Sequence, residues 1–180
     1  MRMITTDEDL ATQAASGDGA AFGVLLDRHY DRLFAFCFRL TGSRADAEDL
    51  TQDICAALPA KLRSYQGRAK VTTWLYRVAV NAAHDRRRRQ ATYARATDGW
   101  GNWEIGRVAD IAEGADKSDW LTSAMATLTC DLRDTLALIL DDATHAQAAE
   151  VLGVSEGTIS WRISEAKKRL KAHRSQEDAE

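Results

Sequence analysis

The sequence predicts an all-α protein of two small helical domains joined by a flexible linker. Apolar residues recur three and four positions apart over most of the chain, as at Trp74, Leu75, Val78 and Ala79, which is the period of an α-helix. The 180 residues include one proline, and strand signals are scarce. The period fades over residues 91–117, which contain four glycines. The predicted boundaries are therefore 1–90 and 118–180 for the domains.

Composition and cysteine usage exclude several classes of protein. A hydrophobic content of 45% with 28% charged residues is ordinary for a soluble globular protein. The first residues are acidic where a secretion signal needs an apolar core, so we expect a cytoplasmic protein. Cys37, Cys55 and Cys130 are odd in number and lack paired histidines, which argues against disulfides and a zinc site. Buried packing is expected for them, and neither a metal nor a cofactor is expected.

Capping residues delimit the helices of the first domain. Thr5 and Glu8 have the spacing of a capping box at the start of the first helix. A second helix is predicted over about 20–41, and its apolar surface extends nearly all the way round, so we expect it to be central or covered by a partner. Ser43 caps the third helix, and Pro59 is expected to kink or end it.

The third helix projects an acidic ridge. Asp46 and Glu48 are explained by the preference for acids in a first helical turn. That preference explains Asp49 less well and Asp53 hardly at all. The ridge is therefore a candidate docking face for a partner.

The next helix is strongly basic. Residues 61–90 contain nine basic residues and one acid, Asp85, within a chain of net charge −3. Such a concentration indicates a local site for a polyanion. Arg77, Asn81, Asp85 and Arg88 lie on one stripe, and arginine with asparagine is the chemistry that contacts phosphates and base edges. A solvated helix end is the alternative interpretation.

The second domain contains a helix-turn-helix pattern. Thr144 caps a short helix, Gly153 supplies a left-handed turn residue, and Ser155 caps a longer helix. Apolar side chains of the longer helix share a narrow arc, so its opposite pole is exposed. From position 162 to 174 there are six basic residues and one acid. A helix that is small and polar near its start and basic further along fits a DNA major groove, although helix-turn-helix pairs also occur in proteins that never touch DNA.

Together these motifs resemble the extracytoplasmic-function group of the bacterial sigma-70 family of RNA polymerase sigma factors. The matching stretches are TGSRADAEDLTQDI and YQGRAKVTTWLYRVAVNAAHDRRRR in a region 2-like helical bundle, and AAEVLGVSEGTISWRISEAKKRL in a region 4-like helix-turn-helix. The resemblance covers nearly all of 22–170 apart from the linker. It implies a factor that binds core RNA polymerase, reads the minus-10 and minus-35 promoter elements and promotes melting.

The resemblance also assigns residues to these roles. Core polymerase binding falls to the acidic ridge: Asp46, Glu48, Asp49, Gln52 and Asp53. Minus-10 recognition falls to a base-capturing loop and the basic helix: Tyr65, Arg68, Lys70, Thr73, Trp74, Arg77, Asn81, Asp85, Arg86 and Arg88. Minus-35 recognition falls to the last helix: Ser155, Glu156, Gly157, Thr158, Ser160, Trp161, Arg162, Ser164, Lys167 and Lys168.

Several alternatives stay open. Trp74 lies on the apolar face, which favours a core role, and Asp85 either accepts from a cytosine or orients a neighbouring arginine. Trp161 and Glu165 depart from the family pattern, so Trp161 either contacts a thymine methyl or belongs to a protein interface. The departures also leave open a sigma-like decoy that binds an anti-sigma protein without directing transcription. No nucleophile–base pair or phosphate loop indicates an enzyme.

Overall fold

The structure, a computed structural model, describes residues 5–96 and 120–177. These residues form eight helices and no strand, which confirms the all-α prediction. The helices are α1 (Asp7–Ala15), α2 (Gly19–Thr41), α3 (Arg44–Leu62), α4 (Val71–Ala96), α5 (Trp120–Ala126), α6 (Cys130–Leu140), α7 (His145–Leu152) and α8 (Glu156–Glu177). None of the described helices is long and apolar enough to cross a membrane.

Local capping chemistry sets the helix starts, with one difference from the prediction. The capping box of α1 is formed by Thr6 and Asp9, one residue later than the predicted pair, because Thr6 is the extended residue whose side chain accepts from the Asp9 amide. Ser43 caps α3 as predicted, and its Oγ accepts from the Asp46 amide. Gly42 ends α2 with φ +73°, which favours glycine.

The sequence predicted that Pro59 would kink or end α3, and the helix does not end at this residue. The helix continues through Pro59 to Leu62. A proline removes only one backbone hydrogen bond, and this one lies in the last turn. Leu58 precedes Pro59 and Leu62 follows it, and both are buried, so their packing stabilises the last turn of the helix.

Helix α2 is central, which is one of the two alternatives that the sequence predicted. It contacts α1, α3 and α4 in the first domain and α5 and α6 in the second. Phe36 and Cys37 are fully buried on it. The burial of Cys37 confirms the packing role predicted for it, and burial raises the pKa of its thiol to about 11. Cys55 and Cys130 are half-buried.

The second domain holds the helix-turn-helix in the predicted form. Thr144 caps α7 in a capping box with Gln147, and Gly153 follows with φ +66°. The Ser155 Oγ accepts from the Thr158 amide, 3.1 Å away, at the start of α8. Ile159 and Ile163 are buried beneath the turn, so α8 presents its opposite side outward.

The two domains pack against each other, α6 on α2 and α7 on α4. Helix α4 continues to Ala96, six residues into the range predicted as linker. The rest of that range, with Trp100, Trp103 and a short helix expected at about Glu104 to Ile111, lies outside the described residues.

Candidate nucleic-acid interface

The acidic ridge of α3 faces outward. Glu48, Asp49, Gln52 and Asp53 are exposed and Asp46 is half-buried. The Asp49 side chain is 66% accessible. Within the ridge, Glu48 accepts from the Nε of Arg44 at 3.0 Å, one helical turn away. The ridge therefore presents carboxylates that lie outside the hydrophobic core of the domain.

Arg86 connects this ridge to the basic helix. Its Nη2 lies 2.7 Å from Asp46 Oδ1 and 3.2 Å from Asp49 Oδ2. Burial alone lowers the pKa of Arg86, but the hydrogen bonds and charges of both aspartates outweigh burial and raise it. The guanidinium is thus a fixed cation at the junction of α3 and α4, although the sequence grouped it with the DNA-reading residues.

The loop between α3 and α4 is folded around Tyr65. The Tyr65 hydroxyl donates to the Ala69 carbonyl at 2.8 Å, and its ring lies edge-on to Trp74 with centroids 5.4 Å apart. Arg68 and Lys70 are exposed beside this aromatic pair. Trp74 is half-buried, so it belongs partly to the core and partly to the loop.

The outer stripe of α4 is open to solvent over its second half. Asn81 and Arg88 are exposed and Asp85 is half-buried. The Arg88 Nη2 donates to Asp85 Oδ1 at 2.9 Å, so in this structure Asp85 orients an arginine. The first half differs, because Thr73 is buried and Arg77 donates to Glu150 of α7 at 2.8 Å. Those two residues lie in the interdomain interface.

The outer side of α8 is exposed to solvent. Most of the residues assigned to it are exposed, and Thr158 and Arg162 are half-buried. Trp161 is 62% accessible, the largest exposed apolar side chain on this helix. Arg162 is engaged with Asp131 at 3.0 Å, and Glu165 accepts from Arg169 Nε at 2.9 Å. Glu165 is therefore paired with a cation one turn away.

Sequence reasoning missed the buried charges between the domains. Asp134 and Asp141 of the second domain are buried, and their partners include Arg32 and Arg39 of α2. The available signal was weak: Asp134 stands among the apolar positions of α6, where an acid needs a partner. The residues near Asp134 in the sequence do not indicate which side chain that partner is.

A two-domain helical protein with a basic helix beside an acidic ridge, and a separate helix-turn-helix, is a DNA-binding protein in its architecture. The family model of sigma-70 region 2 matches residues 25–93, and that of sigma-70 region 4 matches 118–170. Together the matches cover more than half of the chain. The chain therefore belongs to the sigma-70 family, in its extracytoplasmic-function group, whose members direct RNA polymerase to promoters.

Relatives of similar length support the assignment. The extracytoplasmic-function sigma factor SigM of Mycobacterium tuberculosis is 28% identical over 172 residues, covering 92% of this chain and 83% of the relative. SigW of Bacillus subtilis is 26% identical over 171 residues, covering 88% and 91%.

Two solved structures share the fold. CnrH in complex with the cytosolic domain of CnrY has a TM-score of 0.69 at 26% identity and covers 94% of this chain and 97% of that chain; CnrH is an RNA polymerase sigma factor of Cupriavidus metallidurans. The sigma factor RpoE of Bartonella quintana, in complex with the anti-sigma factor NepR, has a TM-score of 0.70 at 24% identity, covers 84% and 94%, and shows the fold alone.

Proposed function

We propose that this chain binds core RNA polymerase through the acidic ridge of α3, reads the minus-10 and minus-35 elements and promotes duplex melting in the cytoplasm. The observation that carries the proposal is the exposed acidic ridge directly beside the loop and basic stripe of α4. Polymerisation belongs to the partner, so the chain itself is not an enzyme. Its task is binding and strand opening.

The loop and α4 have the chemistry that strand opening requires. An unstacked base needs an aromatic or pocket surface, and the displaced backbone needs cations. The Tyr65–Trp74 pair supplies the aromatic surface, and Arg68 and Lys70 are exposed beside it. Asn81 and Arg88 continue the polar stripe along α4. We therefore assign capture of a minus-10 base to the loop and contact with the same element to the stripe.

Helix α8 is suited to the minus-35 element. Small residues near its start allow close approach to a major groove, and Lys167 and Lys168 lie exposed further along, where phosphates would run. Pairing of Glu165 with Arg169 reduces the repulsion that an isolated acid would have toward phosphate. Trp161 is exposed enough for a thymine methyl or for a protein partner.

The chain also has features that fit an anti-sigma partner. The solved relatives named above are bound to CnrY and to the anti-sigma factor NepR. We propose that this chain likewise binds an anti-sigma protein. A decoy that binds such a protein without directing transcription remains the second candidate, and the exposed Trp161 is the observation that favours it.

Run-off transcription tests the proposal. The chain is combined with core polymerase on genomic promoter fragments, and promoter-dependent transcripts are expected. Core binding without any such transcript contradicts the promoter-directing function and supports the decoy.

Replacing Arg88 by alanine is expected to weaken minus-10 activity. Arg88 is exposed, and among the described residues its side chain pairs with Asp85 of the same helix, so its guanidinium is available to DNA. We expect promoter affinity to fall by about 1 kcal/mol and the salt slope by about one, as for the loss of one phosphate contact. The measurement is promoter binding by the polymerase complex as a function of salt concentration.

Two comparisons control this prediction. Arg28→Ala removes an arginine from α2, away from all three proposed faces, and is expected to leave promoter binding unchanged. Arg86→Ala is expected to weaken core binding and to leave the salt dependence of promoter binding nearly unchanged, because Arg86 is held by Asp46 and Asp49. Unaltered promoter binding in Arg88→Ala would remove that residue from the site.

A further inference from the structure

Helix α4, which carries the basic stripe, begins without a capping residue of its own. The Trp74 amide donates to the Lys70 carbonyl at 3.0 Å, so Lys70 is the residue at which the helix starts. A lysine side chain has donors and no acceptor, and the first turn of α4 contains no acidic residue. Because the first amides of a helix need acceptors, α4 needs one from elsewhere in the chain.

Helix α1 provides such an acceptor. The amide of Val71, the first residue of α4, donates to Glu8 Oε1 at 3.5 Å. Val71 is only 1% accessible, so water has little access to its amide. We propose that Glu8 caps α4 from another helix and so positions the base-capturing loop, residues 63–70, that leads into it. The consequence for nucleic acid rests on the proposed function, whereas the capping itself does not.

The charge of Glu8 also suits this position. The amino end of a helix carries a partial positive charge, and a carboxylate placed there stabilises the helix. Glu8 also acts on the aromatic residue of the loop, because burial raises the pKa of the Tyr65 hydroxyl and the negative charge of Glu8 raises it further. One carboxylate on α1 therefore influences both the start of α4 and the loop before it.

The opposite end of the loop is attached to α3. The amides of Ser64 and Tyr65 donate to carbonyls in the last turn of that helix, at 3.0 and 2.9 Å. Within the loop, the Tyr65 hydroxyl donates to the Ala69 carbonyl at 2.8 Å. The contact with Glu8 holds the end at which the loop enters α4, so the loop is fixed on both sides.

Helix α1 is firmly attached to its neighbours, as a positioning element must be. Leu10 and Ala11 are buried in the core. The Asp7 carboxylate accepts from Arg28 Nη1 at 2.8 Å and lies 2.7 Å from His29 Nε2. Burial acts to raise the pKa of Asp7, but the hydrogen bonds from Arg28 and His29 outweigh it and lower the pKa. The buried residues provide most of the attachment, because partly exposed ion pairs such as Asp7–Arg28 contribute little.

Capping from α1 leaves the loop itself basic. An acidic residue at position 70 would also cap α4, but it would replace a cation in the proposed nucleic-acid site. Arg68 and Lys70 are exposed on the loop. Cations there attract the backbone of a displaced strand, and an acid would repel it. An acceptor on a separate helix therefore satisfies the start of α4 without adding an acid to the loop.

Repulsion of nucleic acid is the alternative role for Glu8, because its side chain is exposed. The two roles predict opposite results for its removal. Loss of a cap loosens the loop, which then pays more conformational entropy on binding and binds a single strand more weakly. Loss of a repelling charge strengthens the same binding.

The test uses the full chain with Glu8→Ala, which removes the acceptor, and Glu8→Gln, which removes the charge and keeps an oxygen acceptor. Asp31→Asn removes a carboxylate from an exposed position of α2 and is the matched control. NMR measures amide hydrogen exchange at residues 71–74. Fluorescence anisotropy measures binding of the free chain to a labelled single DNA strand of random sequence.

We expect amide exchange at residues 71–74 to be about fivefold faster in Glu8→Ala, which is the effect of losing one helix-capping acceptor. Glu8→Gln is expected to show a smaller increase, because it loses the interaction with the helix dipole and keeps the acceptor. The single-strand affinity of Glu8→Ala is expected to fall about threefold, with exchange and affinity unchanged in Asp31→Asn. Wild-type exchange in Glu8→Ala overturns the capping role.

A second variant separates capping of α4 from the stability of α1, because Glu8 also lies in the first turn of α1. Lys70→Asn, added to Glu8→Ala, supplies a local residue of the type that caps helices. The double variant is expected to regain the wild-type exchange rate at residues 71–74. Failure to regain it overturns the proposal. An increase within α1 as large as that at 71–74 in Glu8→Ala also overturns it, because Glu8 would then act through the stability of its own helix.

Single-strand binding decides the consequence for nucleic acid. Faster exchange together with tighter binding in Glu8→Ala overturns the positioning role and supports repulsion. A wild type that binds no single strand, in a series whose exchange rates are as expected, contradicts only the proposed function of the loop. Capping of α4 by Glu8 is then still supported, because amide exchange does not depend on DNA.

Discussion

Replacement of Arg133 by leucine is expected to produce the largest loss of stability in this protein. The Arg133 side chain is fully buried and donates to backbone carbonyls of Met125, Ala126 and Leu128 at 2.8 to 3.1 Å. These carbonyls lie at and after the end of α5, and the Met125 carbonyl also accepts from the Leu128 amide at 3.0 Å. Each buried acceptor left without a donor costs about 1–3 kcal/mol. We expect the free energy of unfolding of the second domain to fall by about 3–5 kcal/mol.

Urea unfolding followed by circular dichroism measures this change. Arg169→Leu is the matched control, because Arg169 is partly exposed on α8 and, within the described part of the chain, pairs with Glu165 one turn away. Its effect is expected to stay within about 0.5 kcal/mol. If Arg133→Leu falls in that same range, the carbonyl contacts do not stabilise the domain and the assignment is wrong.

Reversal of charge at Asp49 is expected to give the largest loss of core polymerase binding. Asp49 is exposed on the ridge, and Arg86 lies 3.2 Å away. An arginine at this position removes a carboxylate from the proposed docking face and adds a second cation beside Arg86. Close charge pairs at interfaces contribute about 1.5 kcal/mol or more, so we expect the affinity for core polymerase to fall at least about tenfold.

Fluorescence anisotropy with labelled core polymerase measures that affinity, and thermal unfolding checks the fold. Asp31→Arg makes the same reversal at an exposed position of α2 outside the ridge, and it is expected to bind normally. Unfolding of Asp49→Arg would show that the residue is not on a docking face, and wild-type affinity in a folded Asp49→Arg would move the docking face elsewhere.

The proposed docking face and the first half of α4 differ in exposure. Asp49 is exposed on the ridge, whereas Thr73 is buried beside Gln147 of α7 and Arg77 donates to Glu150 of α7.

Local chemistry is what made much of the fold predictable from sequence. The period of the apolar residues identifies helices, and the caps at Ser43 and Thr144 with the turn at Gly153 depend on neighbours within four positions. Exposure of the α3 ridge and of the outer pole of α8 follows from the same period. Helix α3 continues past Pro59 because Leu58 and Leu62 are buried beside it, and such burial is a tertiary property.

The sequence by itself determined that this protein is helical, that it carries an acidic ridge, a basic stripe and a helix-turn-helix, and that these belong to a sigma factor. Only the tertiary structure decided which charged side chains form ion pairs with each other. Arg32 and Asp141 are 109 positions apart, and Arg87 and Asp134 are 47 apart. No period or cap relates such residues, because an ion pair between domains depends on how two separate surfaces pack. Arg86, assigned to DNA by its helix, pairs with Asp46 and Asp49 for the same reason.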